Sequence, residues 1–354
     1  MPNTEIDDID ILDQDDSPIV PPSGLFTTNE VRSCAELYRM VVENSLNTQP
    51  NYQRREVWKN ADQSRFIDSL SKRLPIPSLC ISVSNEKYEV IDGQQRIATI
   101  VRFLSQSDDQ PQTDWELSKL NDIDPLLSGK KVSEIKKDSS DLYSRIRNVM
   151  LPITLVYCDY EKKDHLEYIY KIFYRLNTTG LPLNNQEIRN CIFFGTFNNL
   201  LKDLDASVDW KNVFDSTAQD PRLKGQERIL LFFAFYDCFE SYSGRLTTFL
   251  NQYMIQHKND RLDDLLSKKE LFDKTLFLAN KIRYTKKSKV ILDTVLYGIS
   301  KNIDVLWEKT ADDLTRKYEQ LIGSKELNDS ISGAIWQKEN TFLRFNKAKE
   351  IFSC

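Results

Sequence analysis

Histidine is nearly missing from this chain: 354 residues contain two, His165 and His257. Metal nucleases of the H-N-H and H-D types need a histidine base beside their metal ligands. Neither histidine sits in such a cluster, so that chemistry is excluded for this chain alone. Close cysteine pairs are missing too. The six cysteines stand at 34, 80, 158, 191, 238 and 354, with no C-x-x-C, which argues against a zinc ribbon, a thioredoxin motif or a disulfide framework. Most lie among apolar residues, as reduced core cysteines do. The longest apolar run is Ile229 to Tyr236, far short of the roughly 20 residues of a membrane span. The first residues carry neither the basic region nor the apolar stretch of a secretory signal, so a cytoplasmic protein away from membranes is expected.

What remains is an ordinary globular composition, 40% hydrophobic and 29% charged, at a length that suggests two domains. The formal charge of -5 is unevenly spread. Residues 1–22 hold seven acids and no Lys or Arg, leaving 48 basic against 46 acidic residues elsewhere. Residues 1–24 therefore read as an acidic disordered tail, either solubilising or masking a basic surface.

Ser33-x-x-Glu36 is a capping box, followed by Leu37, Met40 and Val41 on one helical face. A second helix is expected from about Asp62 to Arg73, with Phe66, Ile67, Leu70 and Leu74 as its stripe, ended by Pro75-Ile76-Pro77. Leu79–Val83 and Tyr88–Ile91 read as strands around an Asn85-Glu86 turn. Ile97, Ile100, Val101 and Leu104 then define a helix. Residues 105–135 read as a polar insertion with short strands, and Leu151–Cys158 as another strand. Leu166 to Leu176 marks a helix, Asn184-x-x-Glu187 caps the next, and everything beyond looks helical. The pattern predicts an α+β domain over 25–180 and an all-α helical domain over 181–354.

The sharpest motif is Asp92-Gly93-Gln94-Gln95-Arg96, between a strand and a helix N-terminus. Unpaired N–H groups and the dipole make such a terminus an anion site, and Gly93 permits close backbone approach. Arg96 adds a bidentate fork, Asp92 suits Mg²⁺ or a water, and Gln94 and Gln95 can read a polar ligand. As bare pattern, a structural turn and a ligand site stand level. Neither a P-loop nor a dinucleotide fingerprint is present. Two further groups are Gln53-Arg54-Arg55, and Phe173 to Gly180 with Glu187, Arg189 and Asn190, where helix caps explain part of the pattern. Lys281, Arg283, Lys286, Lys287 and Lys289 surround Tyr284; they suit a nucleic-acid backbone or a solvated helix end.

The stretches Asn51 to Lys59, Ser64 to Ser69, Leu74 to Pro77, Asp92 to Arg96 and Phe173 to Gly180 come in one order. Together they resemble the N-terminal domain family of the GmrSD restriction endonucleases, over roughly residues 25–255. The resemblance implies a ParB/sulfiredoxin-like fold, nucleoside triphosphate hydrolysis with Mg²⁺, and a place in prokaryotic defence. It carries Asp92 and Arg96 over as catalytic, with Asp92 holding metal. Gln53, Arg54, Gly93, Gln94, Gln95, Asn177, Glu187 and Arg189 carry over as nucleotide contacts. Many relatives append an H-N-H nuclease; here the expectation is that cleavage comes from a separately encoded nuclease or effector. The alternative is a sensor of DNA or nucleotide without turnover.

Overall fold

The computed structural model describes residues 20–48, 58–105, 114–176, 183–214, 223–286 and 288–353. The chain divides into two compact units that meet in sequence at Pro182 and Leu183.

The first unit runs from Ile19 to Pro182. Its elements are β1 (Phe26–Ser33), α1 (Cys34–Val42), β2 (Leu46–Asn47), α2 (Asn60–Ser71), β3 (Leu79–Ser84), β4 (Lys87–Asp92) and α3 (Gln94–Leu104). α4 (Val132–Asp138), α5 (Ser140–Arg147), β5 (Met150–Tyr157) and α6 (Lys163–Leu176) follow. The strands form one sheet in the order β1-β5-β3-β4-β2. β1 and β5 are antiparallel, β5 and β3 parallel, β3 and β4 antiparallel, and β4 and β2 parallel. Asn85 and Glu86 both take positive φ, as a tight hairpin between β3 and β4 requires. The pairing shifts between Cys80 and Ile81, so Cys80 faces Asp92 at the end of β4. Such bulges re-aim a strand where it meets a site.

The core forms where Leu37 of α1, Ile67 and Leu70 of α2, and Ile97, Ile100 and Phe103 of α3 meet Leu79, Ile81 and Ile153. Each side chain so buried stabilises by about 1.5–3 kcal/mol. Val101 and Leu104 pack against this cluster from its edge. The stripe assigned to the second helix overreaches at Leu74, which is 49% exposed because α2 ends at Ser71. The insertion also departs from its reading. Among its described residues there is no strand, only an isolated bridge between Glu116 and Lys131. Trp115, Leu117, Ile123 and Leu127 enter the core instead. α6 packs on β4 and buries Leu166, Ile169, Tyr170 and Phe173. His165, in the first turn of α6, is fixed at both ring nitrogens: its Nδ1 accepts from the Asp159 amide at 2.9 Å while Nε2 lies 3.1 Å from the Ser23 carbonyl.

The second unit is all helical among its described residues. It comprises α7 (Asn185–Ile192), α8 (Thr196–Asp205), α9 (Val208–Phe214), α10 (Lys224–Cys238), α11 (Leu246–His257) and α12 (Leu262–Ala279). α13 (Lys289–Ser300), α14 (Ile303–Leu306), α15 (Ala311–Gly323), α16 (Lys325–Ser330) and α17 (Lys338–Phe352) complete it. α10 is apolar all round from Ile229 to Phe235 and is buried over that stretch, as the central helix of a bundle must be. Its Phe235 meets Tyr242, Phe249 and Phe345 at ring-centroid distances of 5.0, 5.0 and 4.8 Å. No helix of the described residues is long and apolar enough to cross a membrane.

Candidate functional site

The Asp92–Arg96 motif lies where the chain leaves β4 and enters α3. Gly93 is the N-cap of α3 with φ +96°, a conformation L side chains rarely adopt. A Cβ there would stand 2.2 Å from Leu79 Cδ2 and 3.2 Å from Arg96 Nη2. Glycine therefore does two things: it turns the chain and leaves room for the guanidinium to lie across the turn. Arg96 Nη2 donates to Asp92 Oδ2 at 2.7 Å, while Nη1 donates to the Pro77 carbonyl and approaches that of Ser78 at 3.5 Å. The sequence offers this fork to an anion; the structure shows it facing a carboxylate and carbonyls. The two side chains differ in accessibility, with Arg96 12% exposed and Asp92 38%. The carboxylate is thus the solvent-reached partner, and the guanidinium is the part-buried one.

The two glutamines reach sideways. Gln94 Nε2 donates to the Thr48 carbonyl, and Gln95 Oε1 accepts from the Trp58 amide at 3.2 Å. Gln63 Nε2 donates to the Trp58 carbonyl at 3.1 Å, and the Trp58 ring meets Phe66 edge-on at 5.5 Å. Consecutive residues at the start of α3 thus tether both ends of the stretch that carries Gln53 and Arg54. Those two lie outside the described residues, as do Asn177 and Lys287. The tethers at Thr48 and Trp58 escape sequence reasoning because both use backbone atoms.

Beside Asp92, burial pushes the Cys80 thiol up to about 12, and the carboxylate's charge adds to the shift. Cys80 is accordingly a protonated core residue at neutral pH. Among the described residues, no group of three His, Cys, Asp or Glu could hold a metal ion. Asp92 supplies one carboxylate, which fits Mg²⁺ arriving on phosphates, since that ion needs only one or two from the protein.

Glu187 and Arg189 belong to the helical unit. Glu187 completes the capping box of α7, with Asn184 N donating to Glu187 Oε2 at 2.7 Å and Glu187 N to Asn184 Oδ1 at 2.8 Å. Arg189 is fully buried, donating to Glu227 Oε1 at 2.7 Å and Asn251 Oδ1 at 2.8 Å. These contacts give both residues structural partners, and a nucleotide role for them rests on the family resemblance. In the basic cluster, Arg283 pairs with Asp312 and Lys281 Nζ lies 4.4 Å from the Phe277 ring centre. The Tyr284 hydroxyl turns inward to the Ala279 carbonyl at 3.2 Å, so its ring is not offered to a base. Lys286 exchanges backbone hydrogen bonds with the Tyr318 hydroxyl, and Lys289 opens α13.

The fold and this turn define a class: an α+β domain with a five-stranded mixed sheet and an Asp-Gly-Gln-Gln-Arg helix start, followed in sequence by a helical unit. Residues 37–194 match the model of the GmrSD restriction endonuclease N-terminal domain. Comparisons with curated proteins and with solved structures find no match.

Proposed function

We propose that this chain is a module of a restriction-type defence system that binds a nucleoside triphosphate at the Asp92–Arg96 turn and hydrolyses it. The observation that carries the reading is the side-by-side placement of a solvent-reached carboxylate and a guanidinium at the first turn of α3. A terminal phosphate takes the place of Asp92 on the Arg96 fork, as a bidentate acceptor, and the first-turn N–H groups of α3 add to its binding. Asp92, so released, orients a water. The water oxygen forms a bond to the γ-phosphorus, the bond to the β,γ-bridging oxygen breaks, and the water proton passes to Asp92. Arg96 stabilises charge on the departing and transferring oxygens. Where Mg²⁺ is bound with the nucleotide, Asp92 would hold it in place of orienting the water, and the ion would neutralise charge on the phosphates. Gln53, Arg54 and Asn177 enter through family resemblance alone. DNA and a separately encoded nuclease or effector remain proposed partners on the same basis.

The closed Asp92–Arg96 pair favours a second reading, a nucleotide-binding module without turnover. A panel of nucleoside triphosphates with and without Mg²⁺ separates the two. Under the first reading, phosphate is released by the wild type and Asp92→Ala abolishes the release. Thermal stabilisation without phosphate release supports the second, and neither response to any nucleotide refutes both.

A further inference from the structure

The Ile19–Pro182 unit holds another concavity, of about 580 Å³, that the proposed nucleotide turn does not use. α1 lines it with Tyr38 and Arg39, α4 with Lys136, and α5 with Tyr143 and Arg147. One acid, Glu36, shares the wall, and its carboxylate already lies 3.7 Å from Arg32. The concavity is therefore cationic on a chain whose net charge is -5.

Arg39, Lys136 and Arg147 all sit in the last turns of their helices, where basic residues offset the helix dipole. That accounts for their sequence positions but not for their contacts. Among the described residues, Arg39 and Arg147 make no side-chain hydrogen bond or ion pair, to the helix-end carbonyls or to any acid. Both side chains stand exposed at the rim. The Tyr143 ring is fixed by stacking on Phe103 with centroids 5.5 Å apart, and Tyr38 is half-exposed. Cations from separate helices beside aromatic rings form the pattern that tracks a phosphate backbone and receives its bases.

We propose that this groove binds a single nucleic-acid strand, with Arg39 and Arg147 on successive phosphates and Tyr38 and Tyr143 against bases. A duplex keeps its bases stacked away from the tyrosines, and a mononucleotide brings its phosphates to one point rather than along the groove. The proposal is independent of turnover at Asp92.

The test is fluorescence anisotropy on the full chain, with a labelled single-stranded oligonucleotide, the matching duplex, and a mononucleotide competitor, across a salt series. Each phosphate contact on a single strand contributes about 0.7 to the salt slope, so R39A/R147A is expected to flatten it by about 1.4. At 0.15 M salt that is roughly a tenfold loss of affinity, with melting temperature unchanged. Ultraviolet crosslinking of the unsubstituted chain is expected to label peptides containing Tyr38 or Tyr143. Unchanged affinity in R39A/R147A, equal or tighter binding of duplex, efficient displacement by the mononucleotide, or crosslinks confined to other peptides would each overturn the assignment. Loss of strand binding in R283A/K286A instead would move the interface to the helical unit and overturn it too.

Discussion

Replacing Gly93 with alanine tests the geometry of the turn most sharply. The substitution imposes two penalties. The left-handed φ of +96° costs an L residue about 1–2 kcal/mol. The new methyl carbon would also stand 2.2 Å from Leu79 Cδ2, a fully buried core side chain on β3, and overpacking of this kind costs about 1–3 kcal/mol. The expected total is about 2–5 kcal/mol, which for a unit of this size lowers the melting temperature by roughly 5–15 °C. Gly24 provides the internal control: its φ is +83°, and nothing lies within 4 Å of the position a Cβ would take. Gly24→Ala should therefore incur the backbone penalty alone. Urea and thermal unfolding of both variants read the difference. If Gly93→Ala is no more destabilising than Gly24→Ala, the close approach of Leu79 and Arg96 to the turn is wrong.

Gln95→Leu removes the acceptor that holds the Trp58 amide, and faster hydrogen exchange at that amide is expected; an unchanged exchange rate would count against the tether. Arg189→Met strands the buried Glu227 carboxylate and should cost about 3–5 kcal/mol in urea unfolding, most of it recovered in the double variant with Glu227→Met. Equal losses in the single and double variants would contradict this. Burial pushes the Cys34 and Cys80 thiols up to about 12 from an ordinary 9.0. Their contribution to stability is thus full below pH 9 and is lost as the pH climbs towards 12. Both should resist a thiol reagent at pH 8 until urea is added, and rapid labelling of the native protein would refute the burial.

How much of this was legible beforehand depends on where the signal lives. The apolar spacing of Ile97 and Ile100 marks α3 because a packed helix must repeat its stripe, and Asn85-Glu86 marks the hairpin because the turn needs positive φ. β1 left no such trace. It is an edge strand with most side chains exposed, so Phe26 to Ser33 lacks the alternation of a half-buried strand. Trp115 and Leu127 lie among polar neighbours, and only tertiary packing draws them into the core. The boundary between α13 and α14 also left no trace: the chain breaks at Asn302, whose side-chain amide donates to the Gly298 and Lys349 carbonyls. At the turn, residue types pointed to an anion-binding helix start. That Asp92 and Arg96 face one another, and that Pro77 and Ser78 help hold the guanidinium, depends on how β3 and β4 bring distant backbone together.

Calorimetric titration of a non-hydrolysable nucleoside triphosphate, with Mg²⁺, into the wild type and Arg96→Met measures the central claim directly. Saturable binding by the wild type, weakened at least tenfold in Arg96→Met at an unchanged melting temperature, is the predicted result. Equal affinity in the two proteins, or no heat of binding in the wild type, would show that the Asp92–Arg96 pair is a structural brace and not a phosphate seat.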